Sequence, residues 1–279
     1  MTVINTNTSA AYSQNAMKTN ARFMSKAMEQ LSTGSRVNSA GDDAAGLAIG
    51  QNMTTQIRGL NMAIRNVNDG INMMQTTEGA MVEQSNMLQR MRELAIQAMN
   101  GTYSNVQRGY LDKEFQELTK QIGQIATDTL WNDQAVLMGT DDGSAVTFEF
   151  QAGQDSGQTI SVTVGSMTVT GLGLVSGAAA VSIGSGDTAA LALDTISDAL
   201  EIINEQRAGI GAGMNRMQYT ADNLANIASN QTQSRSTILD TDYAIATTQL
   251  AKTQIIQQAS TAMLAQANQQ AQSVMALLK

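Results

Sequence analysis

The stretch LSTGSRVNSAGDDAAGLAIG, Leu31–Gly50, interrupts a chain that otherwise reads as long helices. Upstream, Met17, Ala21, Met24, Met28 and Leu31 step by 4, 3, 4 and 3, the rhythm of a helix with one narrow apolar seam. Downstream, Ile49, Met53, Ile57, Leu60, Ile64, Val67, Ile71 and Met74 resume it. The run continues through Met81, Leu88 and Ala95 to Asn100-Gly101, which reads as a left-handed helix stop. Between the two runs lie small polar residues, glycines and two adjacent aspartates. Glycine frees the backbone there, and Asp42 or Asp43 is placed to cap the helix that follows.

The helical spacing recurs further on. Leu111, Phe115, Leu118, Ile122 and Ile125 predict a third helix. Leu193, Ile196, Leu200, Ile203, Arg207, Ile210, Met214, Met217, Ala221 and Leu224 predict a fourth, and Ile256, Ala259, Met263, Ala267, Ala271, Val274 and Leu278 a fifth. Between Gly139 and Gly186 the grammar changes. Ten of the 23 glycines fall there, and Val146, Phe148, Phe150 and then Ile160, Val162, Val164 alternate with polar residues as half-buried strands do. Asp141-Asp142-Gly143 and Gly153-Gln154-Asp155 are the turn signals. The fold expected is mainly α with a small β region: long antiparallel terminal helices in coiled-coil-like layers and a short β-hairpin-rich central segment. Such a chain runs out, turns over and returns, so its two ends should meet.

Composition narrows the chemistry. The 279 residues include no His and no Cys, so the commonest general base, the thiolate nucleophile and the usual zinc ligands are missing. No catalytic, cofactor-binding or metal residue is assigned, and the chain is read as a non-enzyme with no cofactor. Proline is absent too, so no ring forces a helix to stop, and aromatic residues are only 4% of the chain, which suits thin helical packing. The opening residues lack the basic and apolar regions of a cleavable signal, and no run of about 18 apolar residues predicts a membrane span. Between Gln121 and Gln206 there are eleven acidic residues and no Lys or Arg, which predicts a solvent-facing middle. A pI near 4.5 and the lack of a basic stripe exclude nucleic acid as a partner. Adjacent acids at Asp42-Asp43 favour capping over cation binding, and the methionines at helical spacing read as seam residues rather than ligands.

The two ends are nearly uncharged. From Ala244 onward only Lys252 and Lys279 carry charge, and Met1–Leu31 holds four charged residues. Backbone ordering costs about 1–2 kcal/mol per residue, more than one thin seam can offset alone. Copies of the same chain are the natural cover, and unlike patches meeting head to tail generate a helical filament.

Four stretches carry a resemblance. The opening LSTGSRVNSAGDDAAGLAI, then NVNDGINMMQTTEGAM at Asn66–Met81, LQRMRELAIQAMNGTYS at Leu88–Ser104 and AKTQIIQQASTAMLAQANQQAQSVMALL near the C-terminus closely resemble bacterial flagellin, in the same order. The resemblance covers about the first 140 and last 90 residues; the middle carries no family signal. It implies a structural subunit that polymerises into the flagellar filament for swimming motility. It also implies export in the unfolded state by the flagellar type III route, and an extracellular, secreted location. A hook–filament junction protein, or a related secreted type III tip or cap protein, is the alternative with similar end helices.

By the same resemblance, residues 1–45 are an inner-tube helix plus connector, 46–140 and 189–237 the two halves of an outer-tube helical domain, 141–188 a small variable β-rich tip, and 238–279 the C-terminal inner-tube helix. Met17, Met24, Met28, Leu31, Ile256, Met263, Val274 and Leu278 are expected to pack the inner tube and its subunit contacts. The implied partners are many copies of the chain itself, a flagellar export chaperone, hook-associated and cap proteins, and an innate immune receptor of animals, with no membrane insertion. The receptor contact falls on Arg90, Leu94 and Glu114, of which Arg90 and Leu94 are four apart and so neighbours on one helix face. Two departures stand out. The family's Phe-Asn-Gly is Trp131-Asn132-Asp133 here, and its Val-Pro-Gln is Gln270-Ala271-Gln272, which should leave the last helix straight.

Overall fold

Apolar periodicity and the absence of proline produce five long helices. In the computed structural model, residues 6–140, 144–176 and 179–276 are described. The helices are α1 (Thr8–Thr33), α2 (Ala44–Met99), α3 (Asn105–Asp128), α4 (Gly186–Leu239) and α5 (Tyr243–Ala276). Three two-stranded antiparallel pairs lie between α3 and α4: β1 (Leu130–Trp131) with β2 (Gln134–Ala135), β3 (Val146–Gln151) with β4 (Thr159–Val164), and β5 (Val175–Ser176) with β6 (Ala179–Ala180). The chain divides into two compact units, one of residues 1–57 and 229–279, the other of residues 58–228.

The second unit has the larger core. Along α2, Leu60, Ala63, Val67, Gly70, Met74, Thr77, Met81, Gln84, Leu88, Met91, Ala95 and Ala98 are all buried, an unbroken 3-4 alternation over five heptads. Phe115, Ile122 and Ala126 of α3 join them, as do Ala189, Ala192, Ile196, Ala199, Ile203, Ile210, Met217 and Ala221 of α4. The expected α4 seam is right at Ile196, Ile203, Ile210, Met217, Ala221 and Leu224, with Leu200 and Met214 partly buried against the core, but it shifts at its first alternate steps. Ala192 and Ala199 are buried where Leu193 and Leu200 were expected, and Arg207 turns aside to pair with Glu78 at 3.5 Å.

Thr77, Gln84, Ser85, Thr119 and Ser166 are the buried polar side chains among the described residues of this unit, and Gln84 is the largest. Gln84 is fully buried and donates from Nε2 to the carbonyls of Ile122 (3.2 Å) and Met167 (3.1 Å), while its Oε1 has no hydrogen-bond partner. Another tight feature is a glycine seat: a Cβ at Gly70 would stand 2.8 Å from the Phe150 ring, so only glycine admits that ring against α2.

The central segment shares this core instead of facing solvent throughout. β3 and β4 pair in the expected phase, Val146 with Val164, Phe148 with Val162 and Phe150 with Ile160. Ile160, Val162 and Val164 are buried and belong to the same cluster as the helices, together with Met167, Leu172 and Leu174. On the opposite face the Thr147 and Thr163 hydroxyls meet at 3.0 Å. The acidic residues of this segment need water only on that outer side. The turn signal at Gly153-Gln154-Asp155 lies in the β3–β4 connection, closed by the Ala152 N–H on Gln158 O at 2.8 Å. The one at Asp141-Asp142-Gly143 lies outside the described residues.

One helix end differs from the sequence reading. Gly101 does not adopt a left-handed conformation; the α2 terminus is closed by Arg108, whose guanidinium donates to the carbonyls of Ala98 (2.8 Å) and Asn100 (3.3 Å). A cation from the next helix thus satisfies orphan carbonyls that a glycine cap would otherwise serve. At Trp131-Asn132-Asp133 the turn is a two-residue hairpin with Asn132 and Asp133 both at positive φ (48° and 64°), the type I′ geometry that Asn tolerates and Asp accepts. α5 is continuous past Gln270-Ala271-Gln272 to Ala276.

Candidate assembly face and connector

In the first unit, α1 and α5 run antiparallel. The Asn7 side chain donates to Ala267 O (3.1 Å), Asn20 to Thr253 O (2.7 Å), and the Tyr243 hydroxyl to Leu31 O (3.3 Å). The two ends of the chain do meet. Asn7 also caps α1 by accepting from the Ala10 N–H, and Asp242 caps α5 by accepting from Ala244 and Ile245.

The residues that face each other include only part of the large apolar set. On α1 the covered positions are Ser13, Met17, Asn20, Met24, Ala27 and Leu31; on α5 they are Ala246, Leu250, Thr253, Gln257, Ser260, Leu264 and Ala267. Both sets keep the 3-4 alternation. Met17, Met24 and Leu31 therefore lie in the seam, half-buried. Met28 does not: it is 52% exposed, one position from the buried Ala27. Ile256 and Met263 likewise point outward, with Met263 63% exposed. The sequence reading followed side-chain size, while the pair uses small and polar residues for its interior. Val274 lies on the α5 backbone, and Leu278 lies outside the described residues.

What remains outside is an apolar surface. Tyr12, Phe23 and Met28 on α1 and Ile245, Ile255, Ile256 and Met263 on α5 are all exposed. Tyr12, Phe23 and Ile256 border one open groove whose floor includes Ala16 and Asn20. Helices so poor in charge, with rings and branched chains turned to water, have surface to bury against something.

The connector is fixed at both ends. Gly34 ends α1 in the left-handed conformation (φ 72°), its N–H returning to Gln30 O. Ser35 then pairs with Asp240 as a single antiparallel bridge, and the Arg36 N–H and guanidinium donate to the carbonyls of Leu239 and Ile238, both at 2.6 Å. The two aspartates divide the work. Asp43 caps α2 through the Gly46 N–H (2.8 Å), with Arg36 3.7 Å away. Asp42 accepts from Asn38 N, Ser39 N and the Ser39 hydroxyl, and forms an ion pair with Lys26 of α1 at 2.7 Å. Lys26, and then the Ser39 donors, lower the Asp42 carboxyl from 3.8 to about 2.

In the second unit, Arg90 bridges Glu93 (2.9 Å) and Glu114 (2.9 Å) on the surface. These carboxylates, Glu93 foremost, raise the guanidinium's already high pKa. Leu94 does not share that surface. It is 1% exposed and packed in the core with Met91 and Phe115, because the buried face of α2 turns through positions 91, 94, 95 and 98. Its expected role as a receptor contact is therefore withdrawn. Among the described residues there is no group of three or more potential metal ligands, and no helix is long and apolar enough to cross a membrane.

These features define a class: a helical chain with paired terminal helices that leave many of their large apolar side chains exposed. The family model of the bacterial flagellin N-terminal helical region matches residues 4–142, and that of the C-terminal helical region matches residues 193–278. The chain belongs to the bacterial flagellin family. It is 42% identical over 278 residues to a flagellin of Halalkalibacterium halodurans, covering 99% of this chain and 100% of that protein. It is 38% identical over 285 residues to flagellin FlaB1 of Treponema pallidum, again covering 99% and 100%. The crystal structure of Bacillus cereus flagellin aligns with 57% of this chain and 88% of its own at 27% identity, with a TM-score of 0.48.

Proposed function

We propose that this chain is the repeating subunit of a flagellar filament, and that its work is mechanical. A single observation carries the reading: the α1–α5 pair buries Asn20, Ala27, Ala246 and Thr253 in its seam with Met17, Met24 and Leu31 half-buried beside them, and leaves Tyr12, Phe23, Met28, Ile255 and Met263 in water. Burial of each such side chain against a neighbouring copy contributes about 1.5–3 kcal/mol, and the contact is heterologous, so it propagates as a helix. Relatives of similar length are named flagellar filament core proteins, among them one of Brachyspira hyodysenteriae at 39% identity.

In this reading, residues 1–45 and 238–279 form the inner layer of the filament, with Met28, Ile256 and Met263 at subunit contacts. Residues 46–140 and 189–237 form the outer layer, and 141–188 supply its outer surface. Swimming motility, export through the flagellar type III route, and binding of an export chaperone and hook-associated or cap proteins follow from membership of such a filament. The innate-receptor contact reduces to the exposed ion pair of Arg90 and Glu114.

The test is polymerisation of the full chain against a chain lacking α5, from Tyr243 onward. In a kosmotropic salt, which strengthens apolar burial, the full chain should form long rods by negative-stain microscopy and the shortened chain none. A full chain that stays monomeric at high concentration would overturn the proposal.

A further inference from the structure

The seam between α1 and α5 has a polar centre. Asn20 is 5% exposed and Thr253 2% exposed, so both are buried although neither helix is otherwise well covered. The Asn20 Nδ2 donates to Thr253 O at 2.7 Å and to Gln257 Oε1 at 3.3 Å, and the Thr253 hydroxyl turns back to Leu250 O at 2.8 Å. One heptad from Asn20 stand Ser13 and Ala27, and one heptad from Thr253 stand Ala246 and Ser260, all small, while the alternate rungs hold Met17, Met24 and Leu31 on α1 and Leu250, Gln257 and Leu264 on α5.

A seam of alanine and serine alone has little to distinguish one alignment from the next. The apolar contacts of small side chains change little when one helix slides by seven residues, about 10 Å. A buried carboxamide is different: after a slip another backbone carbonyl could replace Thr253 O, but Leu250 or Leu264 would stand where Gln257 offers Oε1, leaving an Asn20 donor without its acceptor. A single polar residue at an interior heptad position is a known way to fix alignment at a cost in stability.

We infer that Asn20 is the register-determining residue of the terminal helix pair, and that its hydrogen bonds to Thr253 and Gln257 exclude alignments slipped by one heptad. The consequence for assembly rests on the filament reading given above. A slip would move the exposed row of Tyr12, Phe23 and Met28 past that of Ile245, Ile255 and Met263, so that copies of the chain would no longer present one repeating surface. The register claim itself concerns the single chain alone.

The natural sequence contains no cysteine, so disulfide capture reads alignment without background. One heptad from the Asn20–Thr253 layer, Ala27 and Ala246 occupy the native register. Ala27 and Thr253 would meet only after a slip. Full-length chains carrying Ala27→Cys with either Ala246→Cys or Thr253→Cys are oxidised in a kosmotropic salt, and intrachain closure is read by gel mobility and mass. With Asn20 present, the Ala27–Ala246 pair should close and the Ala27–Thr253 pair should not. With Asn20→Leu, closure of the slipped pair should rise by roughly five- to thirty-fold. Asn20→Ala should also raise it, with no apolar gain to confuse the result.

Retention of a single register in both variants would overturn the proposal, as would failure of the Ala27–Ala246 pair to close in the Asn20 chain. Microscopy of the same samples separates the two readings. An Asn20 chain that closes in native register without forming rods leaves the register claim standing and sinks the filament one.

Discussion

The body of residues 58–228 and the terminal pair follow the same heptad rhythm and fill it in opposite ways. In the body, Leu60, Val67, Met74, Met81, Leu88 and Met91 of α2 are buried, with Phe115 and Ile122 of α3 against them. In the pair, the buried positions hold Asn20, Ala27, Ala246 and Thr253, Met17, Met24 and Leu31 are half-buried, and Tyr12, Phe23, Met28, Ile255 and Met263 face out. The difference teaches that periodicity reports a helix and its stripe but not who will cover the stripe. The body covers its own; the pair keeps the larger share for a partner.

The largest effect that would sharpen this contrast is a pair of truncations at single aromatic residues. Phe115→Ala should destabilise the body by about 3–5 kcal/mol, seen as a lower midpoint in chemical unfolding. Phe23→Ala should leave that midpoint unchanged and abolish rod formation. If Phe23→Ala also lowered the unfolding midpoint by a comparable amount, the division between self-covered and partner-covered surface would be wrong.

Next in size is Gly70→Ala. The added methyl meets the Phe150 ring, and overpacking of this kind costs about 1–3 kcal/mol. Thermal unfolding followed by circular dichroism measures it, and pairing with Phe150→Leu should recover part of the loss. A neutral Gly70→Ala would show that the β3–β4 hairpin is more loosely seated on α2 than the geometry indicates.

The helices, their order and the β3–β4 hairpin were legible because period 3.5 and period 2 survive whatever each face contacts. The interior of the terminal pair was not. Choosing the bulkiest residue at each step led to Met28, Ile256 and Met263, whereas the seam runs through Asn20, Ala27 and Thr253. A buried Asn looks in sequence like any surface Asn, since only the partner helix, over 200 residues away, reveals its acceptors. Leu94 failed for the converse reason: its neighbourhood with Arg90 was sound, but the buried stripe of α2 is wide enough to take it in. The C-terminus of α2 was misread because the capping group, Arg108, comes from the next helix. Of the connector, the break, the glycine and the capping role were visible at Leu31–Gly50; the division of labour between Asp42 and Asp43 depends on Lys26 and Arg36, which sequence spacing alone does not bring near.

A smaller effect concerns acid. Because the folded Asp42 pKa is depressed to about 2 from 3.8, its contribution is present above about pH 4 and is lost as pH falls towards 2. Amide hydrogen exchange at Asn38 and Ser39, corrected for intrinsic pH dependence, should lose protection across that window. The Asp42→Asn chain should lack the transition. An identical acid response in both chains would remove Lys26–Asp42 as the fastening of the connector. Smallest of all is Arg90→Ala, whose exposed ion pairs should leave unfolding unchanged, while a receptor-reporter assay reads whether that patch is recognised.

Gln84 gives the body a property that its apolar neighbours do not. Greasy helices in contact can creep along one another while exchanging equivalent methyl groups. A carboxamide gripping the Ile122 and Met167 carbonyls has no equivalent position one turn away. It therefore serves as a detent, so that a pull along α2 is handed on to α3 and the segment at Met167 instead of being lost to creep between them.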